Sequence, residues 1–128
     1  MKFPGIEDFL NRYQERAAKL GVDPLGYYLP PFTYAEMQVL AQAVTAVGST
    51  DQAKLAAYIH DTRFSTIVGD VKFADNGEWE KGRVLFVQYQ GVRGNDVDQF
   101  RQPGRQVILY PPELKSGKFI YPYADARH

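Results

Sequence analysis

Apolar residues recur with helical spacing in the first half of the chain, and the spacing changes at Phe64. The first series follows the i, i+3, i+4, i+7 pattern of one helix face and consists of Ile6, Phe9, Leu10, Tyr13, Ala17 and Leu20. Pro4 precedes this series and Gly21 follows it, at the positions where these residues commonly begin and end helices. The sequence therefore predicts a first helix between Pro4 and Gly21.

Two further helices are predicted from capping patterns. Thr33-Tyr-Ala-Glu36 matches a capping box, in which the Thr33 hydroxyl and the Glu36 carboxylate bond backbone amides, so we expect a helix that starts directly after Phe32 and ends at Gly48. It has two apolar faces, which predicts burial on two sides. One face contains Met37, Leu40, Ala41, Val44 and Val47, and the other contains Ala35, Val39, Ala43 and Ala46. Ser49-Thr-Asp-Gln52 is a second cap pattern and predicts a short third helix.

The second half of the chain is predicted to contain strands. Phe64 to Val68 and Asp70 to Phe73 form two extended segments with a bend at Gly69, and Asp75-Asn-Gly77 supplies a tight turn. The strongest strand runs from Arg83 to Gln90 and has apolar residues on both faces, so we expect it to be covered on both sides.

The remaining segments complete the predicted fold. Residues 91–105 are polar and rich in Gly, Asp and Arg, which predicts a loop, and Gln106 to Tyr110 forms a last short strand before two prolines. Together the elements predict an α/β chain, residues 1–128 as a single domain, with three helices followed by a small, mainly antiparallel sheet.

Composition excludes several classes of function. The 15 basic and 15 acidic residues cancel, so no surplus of positive charge favours nucleic acid or an anionic membrane. The chain has no cysteine, which excludes disulfides, a thiol nucleophile and thiolate metal sites. No stretch is long and apolar enough to span a membrane, and Met1 to Asp8 lack the apolar run of a secretory signal. The chain as written is therefore expected to stay in the cytoplasm.

No arrangement of residues favours catalysis or a cofactor. Asp70, Asp75 and Glu78 are close in sequence, but the last two flank a tight turn, where carboxylates usually serve solubility and capping. His60 has no metal-binding partner at i+4, and His128 is terminal. Gly91-Val-Arg-Gly94 lacks the spacing and the following helix of a phosphate loop. We expect no enzyme activity, no metal site and no cofactor.

An aromatic cluster is the strongest candidate for a binding site. Tyr27, Tyr28, Phe32 and Tyr34 surround Pro30-Pro31, directly before a predicted helix start. The rings could contact the apolar side chain of an amino acid whose carboxylate lies near the helix start. Alternatively, the same rings could pack the turn between two helices.

Three segments resemble the C-terminal part of a known family. They are the loop and capped helix of Gly26 to Glu36, the segment of Phe64 to Trp79 with the strand after it, and the segment of Gln106 to Pro122. In this order they resemble type I periplasmic substrate-binding proteins of the branched-chain amino-acid ABC transporter class. Such proteins are two-lobed clamps, and the N-terminal sequence from which both lobes are largely built is absent from this chain.

The resemblance implies a layout and a site. Residues from about 4 to 82 would belong to one lobe, and residues 83–128 would belong to the last hinge strand and the other lobe. Tyr28 and Phe32 are the positions that align with the cleft between the lobes. A periplasmic location, an ABC permease as partner and an amino acid or small amide as ligand are implied in the same way, with ligand binding weakened or lost in this chain.

Two functions from different classes follow. The chain is either a component of a solute-binding protein, or a structural or interaction protein that keeps the family's elements without a cleft. In both cases the two-faced helix and the two-faced strand need cover, so we expect self-association as a homodimer.

Overall fold

Helix α1 spans Ile6–Leu20, as its spacing predicts. The computed structural model describes residues 3–23, 28–82 and 84–127. The helix ends at Gly21, which has a φ of 67° and donates its backbone N–H to the Ala17 carbonyl. Only glycine adopts this left-handed conformation without steric cost, so the sequence signal and the observed helix end coincide. Asp8 and Arg12 form an ion pair of 3.2 Å on the exposed face.

Helix α2 spans Pro30–Val47, and the predicted start after Phe32 is wrong. Pro30 and Pro31 occupy its first positions, where the fixed φ of proline suits a helix and a missing N–H costs nothing. The Thr33 N–H donates to the Leu29 carbonyl at 3.2 Å, so Thr33 lies within the first turn and cannot cap it. No side-chain cap is present at this helix start.

The expectation that α2 is buried on two sides is also wrong for the described part of the chain. Its buried residues lie on one face and are Pro31, Ala35, Val39 and Ala43. On the other apolar face, the side chains of Met37 and Leu40 are 60% and 41% exposed. Of this second face only the C-terminal part is covered, because Val44 and Val47 pack partly buried against the core.

Helix α3 spans Gln52–Asp61 and packs on the buried face of α2. Asp51 caps it, because its Oδ1 accepts the Lys54 N–H at 2.9 Å, as the Ser49 to Gln52 pattern predicts. The core of this region consists of Val39, Ala43, Leu55 and Phe64.

A hairpin follows the helices. Strands β1 (Phe64–Thr66) and β2 (Gly69–Val71) pair antiparallel, and Ile67 and Val68 form the connection between them. The Ile67 N–H donates to Gln38 Oε1 at 2.9 Å, which fixes the hairpin to α2. Further along, Phe73 pairs with Trp79 around the predicted tight turn, where Gly77 has a φ of 79°.

Strands β3 (Phe86–Tyr89) and β4 (Gln106–Tyr110) form a second antiparallel pair. β3 is shorter than the predicted strand, whose first residue, Arg83, lies outside the described residues. The expected two-sided burial of β3 is wrong: Val84 and Phe86 are 74% and 63% exposed, whereas Gln88 is buried. The Gln88 side chain can be buried because both of its amide atoms bond the backbone of Ile120. Its Nε2 donates to the Ile120 carbonyl at 2.9 Å, and its Oε1 accepts the Ile120 N–H at 3.0 Å.

The predicted loop between β3 and β4 is ordered by one buried side chain. It contains a short 3-10 helix, Val97–Arg101. Within this helix the amide of Gln99 accepts the Arg93 N–H at 2.8 Å and donates to the carbonyls of Arg93 and Asp96. The loop therefore has a fixed conformation despite its polar composition.

The chain divides into two compact units, Met1–Gly82 and Arg83–His128, here called the first and second units. The predicted α/β class, three helices followed by antiparallel strands, is confirmed, although the strands form two separate two-stranded sheets. This arrangement is consistent with a fragment of a type I binding protein. The assignment of residues 4–82 and 83–128 to two lobes stays a prediction.

Candidate functional site

An apolar groove of about 330 Å³ lies within the first unit. Its floor is formed by the buried side chains of Ala35, Val39 and Val71, which come from α2 and β2. Phe32 and Leu40 of α2 stand at its edge, 43% and 41% exposed. The groove exists because α2 buries only its small-residue face against the hairpin, and its larger side chains extend beyond that contact.

Two aromatic rings form one wall of the groove. Phe32 and Trp79 lie edge to face, with ring centroids 6.4 Å apart and an interplanar angle of 71°. The pairing of Trp79 with Phe73 across the tight turn positions the indole, whose N–H donates to the Asp70 carbonyl at 3.3 Å. The wall is therefore held from both the helix and the hairpin.

Glu36 is the one charged residue among the described residues that line the groove. It lies one helical turn after Phe32 and has no hydrogen bond or ion pair with any described residue. The predicted capping box would have engaged this carboxylate at the helix start. Because the helix begins three residues earlier, at Pro30, Glu36 lies beyond the helix start, and its carboxylate stands beside an apolar surface.

The start of α2 cannot bind a carboxylate through its backbone, contrary to one of the sequence interpretations. Pro30 and Pro31 have no N–H. The N–H groups of Phe32 and Thr33 both donate to the Leu29 carbonyl, at 2.9 Å and 3.2 Å. The first turn of this helix therefore offers no free amide to an anion.

The predicted site residues separate in the structure. Phe32 lines the groove, whereas Tyr28 is 63% exposed and is not among the lining residues. Tyr34 packs on Phe9 with ring centroids 5.0 Å apart, so this ring packs between α1 and α2, the alternative to ligand binding. Tyr27 lies outside the described residues. The sequence analysis did not identify Trp79 and Glu36 as site residues. For Glu36 a signal was available, because it lies four residues after Phe32 and therefore on the same face of the helix.

Asp70, Glu78 and His60, three of the other titratable candidates, have ordinary structural partners. Asp70 accepts a hydrogen bond from the Ser65 hydroxyl, and Glu78 accepts one from the Asn76 amide, both at 3.0 Å. His60 Nδ1 lies 3.0 Å from Asp61 Oδ1, and this hydrogen bond lowers the pKa of the exposed Asp61 carboxyl below its usual value. His128 lies outside the described residues.

The glycine segment considered as a phosphate loop is engaged elsewhere. The Gly91 N–H donates to the Ala126 carbonyl at 2.6 Å, and the Gly91 carbonyl accepts from the Arg105 guanidinium. Across residues 3–23, 28–82 and 84–127, no three His, Asp or Glu side chains are grouped as a metal site would require. Within the same ranges, no helix has the length and apolar character needed to cross a bilayer.

The chain is similar to Leu/Ile/Val-binding protein homologues over about half of its length. Leu/Ile/Val-binding protein homolog 1 of Brucella abortus (strain 2308) is 34% identical over 73 residues, which cover 48% of this chain and 19% of the relative. The proteins of the same name from Brucella suis biovar 1 and Brucella melitensis biotype 1 match with the same identity and coverage. The chain thus spans about a fifth of the length of the curated relatives it matches. No family model matches the chain, and no solved structure does.

Proposed function

We propose that this chain is a component of a solute-binding protein for branched-chain amino acids or small amides, and that its groove receives the apolar side chain. The observation that carries the proposal is the groove itself, an apolar concavity with Phe32 at its edge. The similarity of the chain to relatives whose name describes Leu/Ile/Val binding supports the same proposal. That name describes binding rather than catalysis, which fits a non-enzymatic role.

The dimensions of the groove fit a small ligand. A volume of about 330 Å³ lies at the lower end of the range of about 300–1,000 Å³ found for small-molecule sites. A branched aliphatic side chain placed between Leu40 and the ring of Phe32 would remove apolar surface from water on both partners, at about 25 cal/mol per Å². Phe32 is thus the proposed contact residue. Tyr28 does not line the groove, and its contact with the ligand stays a prediction.

The chain alone supplies one wall of such a site. Tight binding of an amino acid requires its ammonium and carboxylate to be satisfied and shielded from water. We therefore expect the isolated chain to bind leucine, isoleucine and valine with a Kd of about 1 mM or weaker, which corresponds to about 4 kcal/mol. The proposal includes a periplasmic location and an ABC permease as partner.

The proposal is tested by titrating the chain with these amino acids while following Trp79 fluorescence. Trp79 is the single tryptophan of the chain and stands in the groove wall, so its emission reports on this site. Leucine, isoleucine and valine should change the emission, and glycine, which has no side chain, should not. Phe32→Ala should raise the Kd of the three aliphatic amino acids about threefold, which corresponds to about 0.7 kcal/mol.

Two further variants complete the design. Phe119→Ala removes a ring of the second unit that is 64% exposed, against 43% for Phe32, and should leave the titration unchanged. Tyr28→Ala separates the two predicted contact residues, because a weakened response would assign Tyr28 to the site as well. An absence of any response to the three aliphatic amino acids would refute the proposed function, and micromolar affinity would refute the single-wall account.

A second candidate function is that of an interaction protein that associates with its own copies. Exposed apolar residues on the second unit favour it: Val84, Phe86 and Tyr110 are 74%, 63% and 54% exposed. Phe86 and Tyr110 face each other across β3 and β4 with ring centroids 5.9 Å apart. Exposed apolar side chains that lie side by side are typical of an interface.

A further inference from the structure

We propose that the groove selects the ammonium end of its ligand and rejects the carboxylate, so that the first unit prefers a branched alkylamine to the corresponding amino acid. This inference rests on the proposed function, because it concerns the same groove. It assigns Glu36 as the residue that binds the ammonium group.

The groups around the groove are complementary to a cation. The Glu36 carboxylate has no partner among the residues that the structure describes, and none of those that line the groove is a Lys or Arg. The rings of Phe32 and Trp79 border the same space. An ammonium held near aromatic faces is attracted by their quadrupoles, and a neighbouring carboxylate adds an ion pair.

The same groups provide nothing for a carboxylate. The indole N–H of Trp79 already donates to Asp70, and the first turn of α2 has no free amide. The later N–H groups of α2 are used within the helix, since each donates to the carbonyl four residues before it. A ligand carboxylate in the groove would therefore lose water without gaining a donor, and would lie near the like charge of Glu36.

A series of three ligands with the same branched chain tests the inference. The series consists of 3-methylbutylamine, leucine and 4-methylpentanoate, which carry the ammonium alone, both groups, and the carboxylate alone. With Trp79 fluorescence as the readout, the amine should bind about tenfold more tightly than 4-methylpentanoate, and leucine should fall between them. The advantage of the amine should shrink as salt is added, because Glu36 is exposed.

Glu36→Gln is the decisive variant, since it keeps the shape of the side chain and removes its charge. In this variant the amine and 4-methylpentanoate should bind within about twofold of each other. Glu15→Gln makes the same charge change on the exposed face of α1 and should retain the full difference. Circular dichroism of each variant serves as the control for intact helices.

The outcomes separate this inference from the proposed function. If leucine binds as tightly as the amine or more tightly, or if Glu36→Gln leaves the order unchanged, the inference is refuted and the proposed function stands. If none of the three ligands changes the Trp79 emission, both are refuted. A preference for the amine that disappears in Glu36→Gln and persists in Glu15→Gln supports the assignment.

Discussion

Gly117 lies against the buried side chain of Val107, and this contact restricts what position 117 can hold. A Cβ on Gly117 would lie 2.7 Å from Val107 Cγ1. Val107 is buried in β4, and a β-branched side chain has little rotamer freedom with which to move away. The backbone of residue 117 or the strand itself would have to shift.

We therefore expect Gly117→Ala to destabilise the second unit by about 1–3 kcal/mol, the usual cost of overpacking. Gly82→Ala is the matched control, because its added methyl would meet its nearest atom, the Trp79 carbonyl oxygen, at an ordinary 3.7 Å. Thermal denaturation followed by circular dichroism measures both. Equal melting temperatures for the two variants would show that Val107 moves freely.

At the scale of elements, the starts of α2 and α3 depend on different chemistry. α3 begins with a side-chain cap from Asp51, whereas α2 begins with two prolines and no cap. The loss of an N-cap leaves a backbone N–H without its acceptor. Thr33, although it resembles a cap in the sequence, has no such role.

Asp51→Ala should accordingly lower the free energy of unfolding by about 1 kcal/mol. Thr33→Ala should change it by less than about 0.5 kcal/mol, as is usual for exposed positions without a special contact. Urea unfolding followed by Trp79 fluorescence suits this comparison, because both helices and Trp79 belong to the first unit. A larger cost for Thr33→Ala than for Asp51→Ala would contradict the helix start at Pro30.

The elements that the sequence predicts correctly are those with local signals. Gly21 ends α1 and Asp51 begins α3 through contacts within a few residues. The start of α2 was misplaced because two local signals compete there, and the prolines prevail over the capping box. The burial of Gln88 could not be predicted, since it depends on Ile120, 32 residues further along the chain.

The candidate site shows the same division. Phe32 was found because it belongs to a conspicuous aromatic cluster and to the segment that carries the family resemblance. Trp79 joins Phe32 only through the pairing of two segments around a turn, which sequence spacing does not specify. Glu36 was assigned to capping, and the earlier helix start gives it another environment.

At the scale of the whole molecule, the apolar surface that the described residues expose to water is energetically unfavourable. Leaving about 300 Å² of such surface in water costs on the order of 7 kcal/mol, and the exposed side chains of Val84, Phe86 and Tyr110 contribute to it. Strand exchange would have to break the hydrogen bonds that Gln99 makes within the loop between β3 and β4, whereas association through exposed side chains would not.

We expect light scattering at micromolar concentration to give about twice the chain mass, and Phe86→Asp to return it to the monomer mass, because a charge cannot be buried unpaired in an apolar interface. Leu20→Asp, at a 71% exposed position of α1, should leave the mass unchanged. A stable monomer in the unmodified chain would contradict self-association.

Side-chain amides of β3 and of the residue that follows it hold residues 118–120 of the second unit. Gln88 bonds Ile120 through both of its side-chain atoms, and Gln90 Nε2 donates to the Lys118 carbonyl at 2.9 Å. Neither glutamine side chain titrates, and neither carries a charge that salt could screen. The exposed ion pairs Asp8–Arg12 and Arg63–Glu80 of the first unit, in contrast, are weakened by added salt. Raising the salt concentration should therefore weaken these two pairs and leave the amide bonds of residues 118–120 unchanged.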